Sequence, residues 1–267
     1  MRLRHLLRLF VPLLIASAAR AFAADDINCE VIVTVDQTED GKKVAPPTHE
    51  HPAYYFPIVA GYREEGFRTA GETAPDKAKI IQQLAKALAK QNYLVVSAKT
   101  PPPSVLLAFH WGYINPSNDP ADVDNETGDP VTGTITEHEA RKMTALVAGH
   151  SAGLVDPHFD HTIFEAVREN RYFVVIIAYD WAAAQKHVRK QLWIAKMSTP
   201  NIGVTLDDVA GALITTGAPF FGRETSRPMV KLTSVIPHGI VEMGPLETKE
   251  LFETPDAAPA KTDKTSQ

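Results

Sequence analysis

The sequence predicts an α+β fold in which a mixed, largely antiparallel sheet is packed by three to four helices. Several short segments alternate apolar and polar residues as strands do, and others repeat apolar residues at helical spacing behind a capping residue. One segment, residues 172–179, is apolar on both faces, which is typical of a strand at the centre of a covered sheet. A chain of 267 residues is long enough to bury the core that such a fold needs.

The first elements are two strands, predicted at residues 30–35 and 53–60. Pro57 interrupts the second strand and cannot donate a hydrogen bond to a neighbouring strand. We therefore expect this strand to lie at an edge or to carry a bulge.

The clearest helix is predicted over residues 73–92. Thr73 and Asp76 have the spacing of a capping box, and Pro75 would lie in the first turn, where its missing N–H costs nothing. One apolar stripe runs along this helix, so we expect it to pack on the sheet. Two short strands are predicted to follow, at 93–97 and 104–109.

The middle of the chain contains a long polar segment, residues 115–133, rich in Asn, Asp, Pro and Gly. A connection of this length within one domain predicts a flexible or functional loop. Thr136 and Glu139 then have capping-box spacing, which predicts a second helix. A third helix is predicted at about 160–170.

The doubly apolar strand at 172–179 is predicted to form a hairpin with residues 192–197, across a basic connection at 186–190. Thr205 and Asp208 predict the cap of a last helix. Short strands are predicted at 229–235 and 239–243. The order helix–strand–strand occurs twice, at 76–110 and 160–197, so a duplicated unit is a further hypothesis.

The N-terminus has the three parts of a secretory signal peptide. Arg2, Arg4 and Arg8 precede an apolar run at 9–19, and Ala21-Phe22-Ala23 forms an A-x-A cleavage site. We expect cleavage after Ala23, a single mature domain at 24–252 and a disordered tail at 253–267. The predicted location is the periplasm or the extracellular space.

The net charge of the chain limits the kinds of molecule that it is expected to bind. The signal peptide holds four Arg residues and no acid, so its removal changes the formal net charge from −5 to −9. This charge argues against nucleic acid and anionic membranes as partners, and no second segment is long and apolar enough to span a membrane.

Cys29 is the only cysteine, so no intrachain disulfide can form. Asp26-Ile27-Asn28 before it does not match a lipoprotein signal, and we expect Cys29 to open the first strand as a small apolar residue.

Residues 149–153 match G-x-S-x-G, the motif that exposes the serine nucleophile of α/β-hydrolases. Asp180 and His238 follow Ser151 in the triad order of that fold. The preceding segment, however, is capped and periodic like a helix, whereas the motif needs a strand. Only 29 positions separate Ser151 from Asp180, too few for the elements that normally intervene. The alternative interpretation is a helix C-terminus that ends at Gly149 or Gly153.

A second candidate site is a metal site at Asp156, His158, Asp160 and His161, whose side chains are legitimate zinc ligands. No H-E-x-x-H spacing accompanies them, and Asp160 is also a plausible helix cap. His49 and His51 form a separate pair. Acidic residues also alternate in the long loop, at Asp122, Asp124 and Glu126, but they do not fit the EF-hand template.

Aromatic residues are the last candidate for a site. They occur at strand spacing, where core and cross-strand packing is the commoner role and a binding groove the rarer one. The residues concerned are Tyr54, Tyr55, Trp111, Tyr113, Trp181 and Trp193.

The order of several short motifs resembles bacterial exported proteins of unknown function, many of them small envelope lipoproteins with a mixed α/β domain. The motifs are Tyr54-Tyr55, Gln91-Asn92-Tyr93, residues 104–110, Tyr179-Asp180 and Leu192-Trp193. The resemblance covers residues 54–220. The chain departs from that pattern in lacking a lipidated cysteine and in having the loop at 115–133. These families have no agreed catalytic residues, so the resemblance implies a fold and an envelope location only.

The sequence therefore predicts a non-enzymatic envelope protein, a binding or assembly module that presents one face of its sheet to another envelope protein or a small ligand. No cofactor is predicted. A secreted serine hydrolase that uses Ser151, Asp180 and His238 is the first alternative. A metal-binding protein that uses Asp156, His158, Asp160 and His161 is the second.

Overall fold

The computed structural model describes residues 26–66, 72–116, 137–149 and 161–236, which form a curved seven-stranded sheet with helices on both faces. The strands are β1 (Ile27–Gln37), β2 (Ala53–Gly66), β3 (Tyr93–Val95), β4 (Val105–Asn115), β5 (Arg171–Asp180), β6 (Gln191–Pro200) and β7 (Met229–Val235). The helices are α1 (Glu39–Lys42), α2 (Lys77–Lys90), α3 (Glu137–Val147), α4 (His161–Ala166), α5 (Trp181–Ala184) and α6 (Leu206–Gly217). Of these described helices, none has the length and hydrophobicity that a membrane span requires.

The sheet has the strand order β3-β2-β4-β5-β6-β1-β7. β2 is parallel to both β3 and β4, while the remaining neighbours are antiparallel. The α+β class is therefore confirmed, but the sheet is mixed rather than largely antiparallel. The difference arises because α2 is a crossover helix that connects β2 to the parallel strand β3. The chain then passes to the other side of β2, where β4 runs in the same direction. The described part also has six helices where three to four were predicted, because α1 and α5 are single turns.

Pro57 lies where the sheet can tolerate it. β3 pairs only with Ala53–Tyr55 of β2, so beyond Tyr55 one edge of β2 has no neighbouring strand in the described part of the chain. The pairing of β2 with β4 then shifts register between Val59 and Gly61. The expectation of an edge or a bulge is thus confirmed in both respects.

Helix starts follow local side chains, with one correction. Thr205 and Asp208 form the predicted capping box of α6. At α2, however, Asp76 is itself the cap and accepts a hydrogen bond from the Ala78 N–H at 2.8 Å. The predicted start at Thr73 was wrong, because the single Asp76 cap satisfies the first turn and the box is not needed.

The first face of the sheet is buried under α2 and α6. Alternate residues of the strands point to this side and pack with both helices into the main core. Cys29 belongs to this core and is 6% exposed, as expected for a small apolar residue. Burial raises the pKa of its thiol, which keeps it protonated and unreactive.

Among the described residues, helices cover the second face at one end only. α3 lies against β1 and β6, and α4 packs beside it. Together they bury Ile32 on one strand and Phe173 and Val175 on another. The residues that follow along β5 on the same face, Ile177 and Tyr179, are half-buried. The helical cover therefore ends between Val175 and Ile177.

The hypothesis of a duplicated helix–strand–strand unit was wrong. β5 and β6 are adjacent and antiparallel, but β2 separates β3 from β4. α2 packs into the core of the first face, whereas α4 packs on the second. The two segments share a sequence of elements and not a structure.

Several predictions concern residues outside the described part of the chain. They are the signal peptide at 1–23, most of the loop at 115–133, the Thr136 cap, the strand at 239–243 and the tail at 253–267.

Candidate functional site

The end of the second face that no described helix covers forms a groove of about 660 Å³. Strands β2, β4 and β5 form its floor, and the connection between β5 and β6 forms a wall. The lining residues are Ile58, Ala60, Arg63, Glu65, Leu106, Ala108, His110, Ile177, Tyr179, Ala184, His187, Val188 and Arg189. This volume lies in the range of sites for small molecules, about 300–1,000 Å³.

The floor is apolar because alternate residues of three paired strands face the same side. Ile58, Ala108 and Ile177 are aligned in one row across β2, β4 and β5. Ala108 is the short side chain between two long ones, and Ala60 is the next residue of β2 on that face. These two alanines make the floor concave.

The exposure of the floor is unusual for side chains of this kind. Ile58 is 42% exposed, and so is Phe56, the preceding residue on the same face. The Phe56 ring packs on Trp181 of α5 at 5.3 Å between ring centroids. The aromatic pair extends the apolar surface beyond the groove, and contiguous exposed apolar groups are a feature of binding surfaces.

The wall of the groove is a tight helical turn that ends in a strained residue. The Val188 N–H donates to the Ala183 carbonyl and the His187 N–H to the Ala184 carbonyl, both at 3.0 Å. This is the Schellman pattern, in which the left-handed position is usually glycine. Here it is His187, with φ of +58°. A non-glycine residue in this conformation carries strain, and such strain is concentrated at functional positions.

Basic side chains dominate the polar part of the groove. Arg63, His187 and Arg189 lie on its rim, and His110 lies at the end next to α3. Burial and the nearby Arg63 charge lower the pKa of His110, so its imidazole is neutral at pH 7. The one acid of the lining, Glu65, accepts a hydrogen bond from Lys142 of α3 at 2.9 Å.

The residues of the hydrolase hypothesis are not brought together in the described part of the chain. Ser151 and His238 lie outside it. Asp180 caps α5, where its carboxylate accepts a hydrogen bond from the Ala183 N–H at 2.8 Å. Residues 137–147 before the motif form a helix, so the strand that a nucleophile elbow requires does not precede Ser151.

Gly149 follows that helix with φ of +58°, a conformation that glycine adopts without strain. A Cβ atom at this position would lie 2.7 Å from the Asp36 carboxylate. The first glycine of the motif therefore serves as a helix terminus, as the alternative interpretation expected.

Of the predicted metal ligands, only His161 lies in the described part of the chain. It is exposed at the start of α4 and faces Glu165, 3.7 Å away. Asp156, His158 and Asp160 lie outside the described residues, as do Asp122, Asp124 and Glu126. Within the described ranges, His49 and His51 included, no three candidate ligands are grouped as a metal site requires.

The aromatic residues are divided between core and surface. Tyr55, Trp111, Tyr113 and Trp193 are at least 96% buried, which confirms the core interpretation for these four. Tyr54 and Trp181 are the two exceptions, because both are only half-buried, and Trp181 packs on Phe56 beside the groove.

The groove itself was missed at the sequence level. Residues 105–109 of β4 are apolar on both faces, which predicts a strand covered on both sides. No local pattern shows that the helices on one side end before this strand does. The basic connection at 186–190 was recognised, but its left-handed histidine was not, because histidine gives no turn signal.

No family model matches the chain, and no curated protein matches it. Among solved structures, a PDZ domain protein from Parabacteroides distasonis matches with 12% identity over 77% of this chain and a TM-score of 0.38; this chain spans 39% of the length of that protein. A PelC dodecamer from Paraburkholderia phytofirmans matches with 14% identity over 72% of this chain and 99% of the PelC chain, with a TM-score of 0.33. A second crystal form of PelC gives 13% identity and the same TM-score.

Proposed function

We propose that this chain is an exported binding module of the cell envelope, which holds an apolar ligand in the groove formed by β2, β4 and β5. The observation that carries the proposal is the incomplete cover of the second face. The apolar row Ile58–Ala108–Ile177 continues past the end of the helices and floors a concave space. Export rests on the predicted signal peptide, and N-terminal sequencing of the exported protein should give Ala24 as its first residue.

Apolar burial supplies the driving force for such binding. Each Å² of apolar surface removed from water contributes roughly 25 cal/mol, and both the floor and the ligand bury such surface on binding, before the cost of association is subtracted. Because the floor consists of paired strands, it is rigid before the ligand arrives. A preformed site loses little free energy to reorganisation on binding.

The test uses N-phenyl-1-naphthylamine, a neutral dye whose fluorescence rises in apolar surroundings. We expect saturable binding to the mature protein. Ala108→Trp should abolish it, because the larger side chain fills the groove. Ala182→Trp is the matched control, since Ala182 is exposed on α5 and outside the groove lining.

A second variant guards against misfolding of Ala108→Trp. Ile58→Lys alters a side chain that is already 42% exposed, so the fold should tolerate it, while the charge disrupts the apolar floor. Dye binding that survives both groove variants, in protein with an unchanged unfolding midpoint, would refute the proposal.

A further inference from the structure

The charges around the groove have the opposite sign to the chain as a whole. The chain carries a formal net charge of −5, yet the groove is lined by two arginines and two histidines with a single acid. That acid, Glu65, is paired with Lys142. The local excess of positive charge is therefore not offset by the residues that line the groove.

The two arginines are available to a ligand. The side chains of Arg63 and Arg189 have no ion pair or hydrogen bond to another described residue. A guanidinium group presents five N–H donors in a planar fork that matches a carboxylate. Since His110 is neutral at pH 7, Arg63 and Arg189 carry the fixed positive charge of the site.

We propose that the groove binds a single-chain amphiphile with a carboxylate head, its alkyl chain on the floor of β2, β4 and β5 and its carboxylate on one arginine of the rim. The register places Arg63 beside Gly112 and Arg189 near Val105, so the two arginines lie toward opposite ends of the apolar row and the head binds one of them. This inference rests on the proposed binding function and names the ligand class. The apolar floor and the basic rim belong to the same groove. The alkyl chain of a long-chain carboxylate matches the floor, and its negative charge matches the rim.

Two other occupants fit the groove less well. A bound peptide needs backbone partners, and among the described floor strands only β2 has an open edge, beyond Tyr55. A peptide paired at that edge would extend the sheet sideways, and it would not lie on the apolar row of Ile58, Ala108 and Ile177 on the face of the sheet. A bilayer surface needs an exposed convex or flat basic patch, whereas this site is concave and the chain is acidic overall. A small amphiphile requires neither.

The experiment is competition against bound N-phenyl-1-naphthylamine at pH 7.5 by three ligands with the same ten-carbon chain, all below their micellar concentrations. The ligands are decanoate, decan-1-ol and decylamine. We expect decanoate to displace the dye at about tenfold lower concentration than the alcohol, as a charge-assisted hydrogen bond implies, and decylamine to be the weakest.

Single arginine substitutions then test which side chains contribute to the affinity for decanoate. Either Arg63→Gln or Arg189→Gln should weaken decanoate about three- to tenfold, which identifies the arginine that binds the carboxylate, and neither should change the affinity for the neutral dye and for decan-1-ol. Unchanged decanoate affinity in both variants would overturn the carboxylate inference. Arg227→Gln is the matched control, because it removes one exposed arginine outside the groove lining.

The outcomes separate the two proposals. If the dye binds but decylamine or decan-1-ol competes as well as decanoate, the carboxylate inference is overturned and the binding function stands. The same conclusion follows if Arg227→Gln weakens decanoate as much as the groove variants do. If the dye does not bind at all, the binding function itself fails.

Discussion

His187 holds a left-handed backbone conformation in the wall of the groove. We expect His187→Gly to raise the free energy of unfolding by about 0.5–1 kcal/mol, because glycine adopts this conformation without strain and loses only part of that gain to its own entropy. The same change removes a side chain from the rim and should weaken decanoate binding. Urea unfolding and dye competition measure the two effects.

Asn92 provides the control for that substitution. It is the other described non-glycine residue with positive φ, at +62°, and it lies at the end of α2, away from the groove. Asn92→Gly should add at most a few tenths of a kcal/mol, since asparagine tolerates this conformation, and should not change binding. Equal losses of binding in both variants would mean that the loss is not specific to the groove, and would contradict the role of the His187 side chain at its rim.

His110 makes stability depend on pH. Because its pKa is lowered in the folded protein, the unfolded state binds more protons below about 6.5. His110 therefore does not lower the free energy of unfolding above that pH. Its destabilising effect grows as the pH falls from there towards the folded pKa, and it is complete below the folded pKa. The groups that face it are Arg63, which lowers the pKa, and Glu65, which raises it.

The measurement is urea unfolding of the native protein and of His110→Gln at pH 7.5 and 5.5. We expect the native protein to lose more stability than the variant between these two values. Equal losses would mean that His110 titrates normally, and a larger loss in the variant would reverse the assigned direction.

At the scale of elements, a buried ion pair joins α3 to the sheet. Lys196 of β6 donates to the Asp36 carboxylate of β1 at 2.8 Å and to the Ala145 carbonyl at 2.7 Å. The first contact joins two neighbouring strands, and the second satisfies a carbonyl in the last turn of α3. The position of α3 determines where the cover of the second face stops, so this pair helps to define the groove.

We expect Lys196→Met to lower the free energy of unfolding by about 3 kcal/mol, because it leaves the Asp36 carboxylate buried without its cation. Adding Asp36→Asn should recover part of the loss. The unfolding free energies of the single and double variants measure the coupling. Strictly additive losses would show that the two side chains do not stabilise the fold as a pair.

Elements that depend on neighbouring residues were predicted from the sequence, and elements that depend on contacts between distant segments were not. Capping by Thr205 and the central place of β5 depend on neighbouring residues, and both were predicted correctly. The parallel insertion of β2 between β3 and β4 depends on contacts far apart in the chain, and it was missed. The groove depends on where α3 stops relative to Ile177, which no local pattern encodes.

Across the described molecule, the two faces of the sheet differ in how far helices bury them. The first face is buried by α2 and α6 and accounts for most of the described core. The second is buried by α3 and α4 at one end, and no described helix covers its other end, which basic residues surround. A stable core on one side allows the other to carry an exposed apolar surface.

The most direct test of this account is a methyl NMR titration of the mature protein with N-phenyl-1-naphthylamine. We expect saturable shifts of the Leu106, Ala108 and Ile177 methyl groups, and unchanged methyl groups of Leu84 and Leu213 under the helices of the first face. Shifts that are absent from the groove methyl groups while the dye binds elsewhere would contradict the assignment of the uncovered sheet as the binding site.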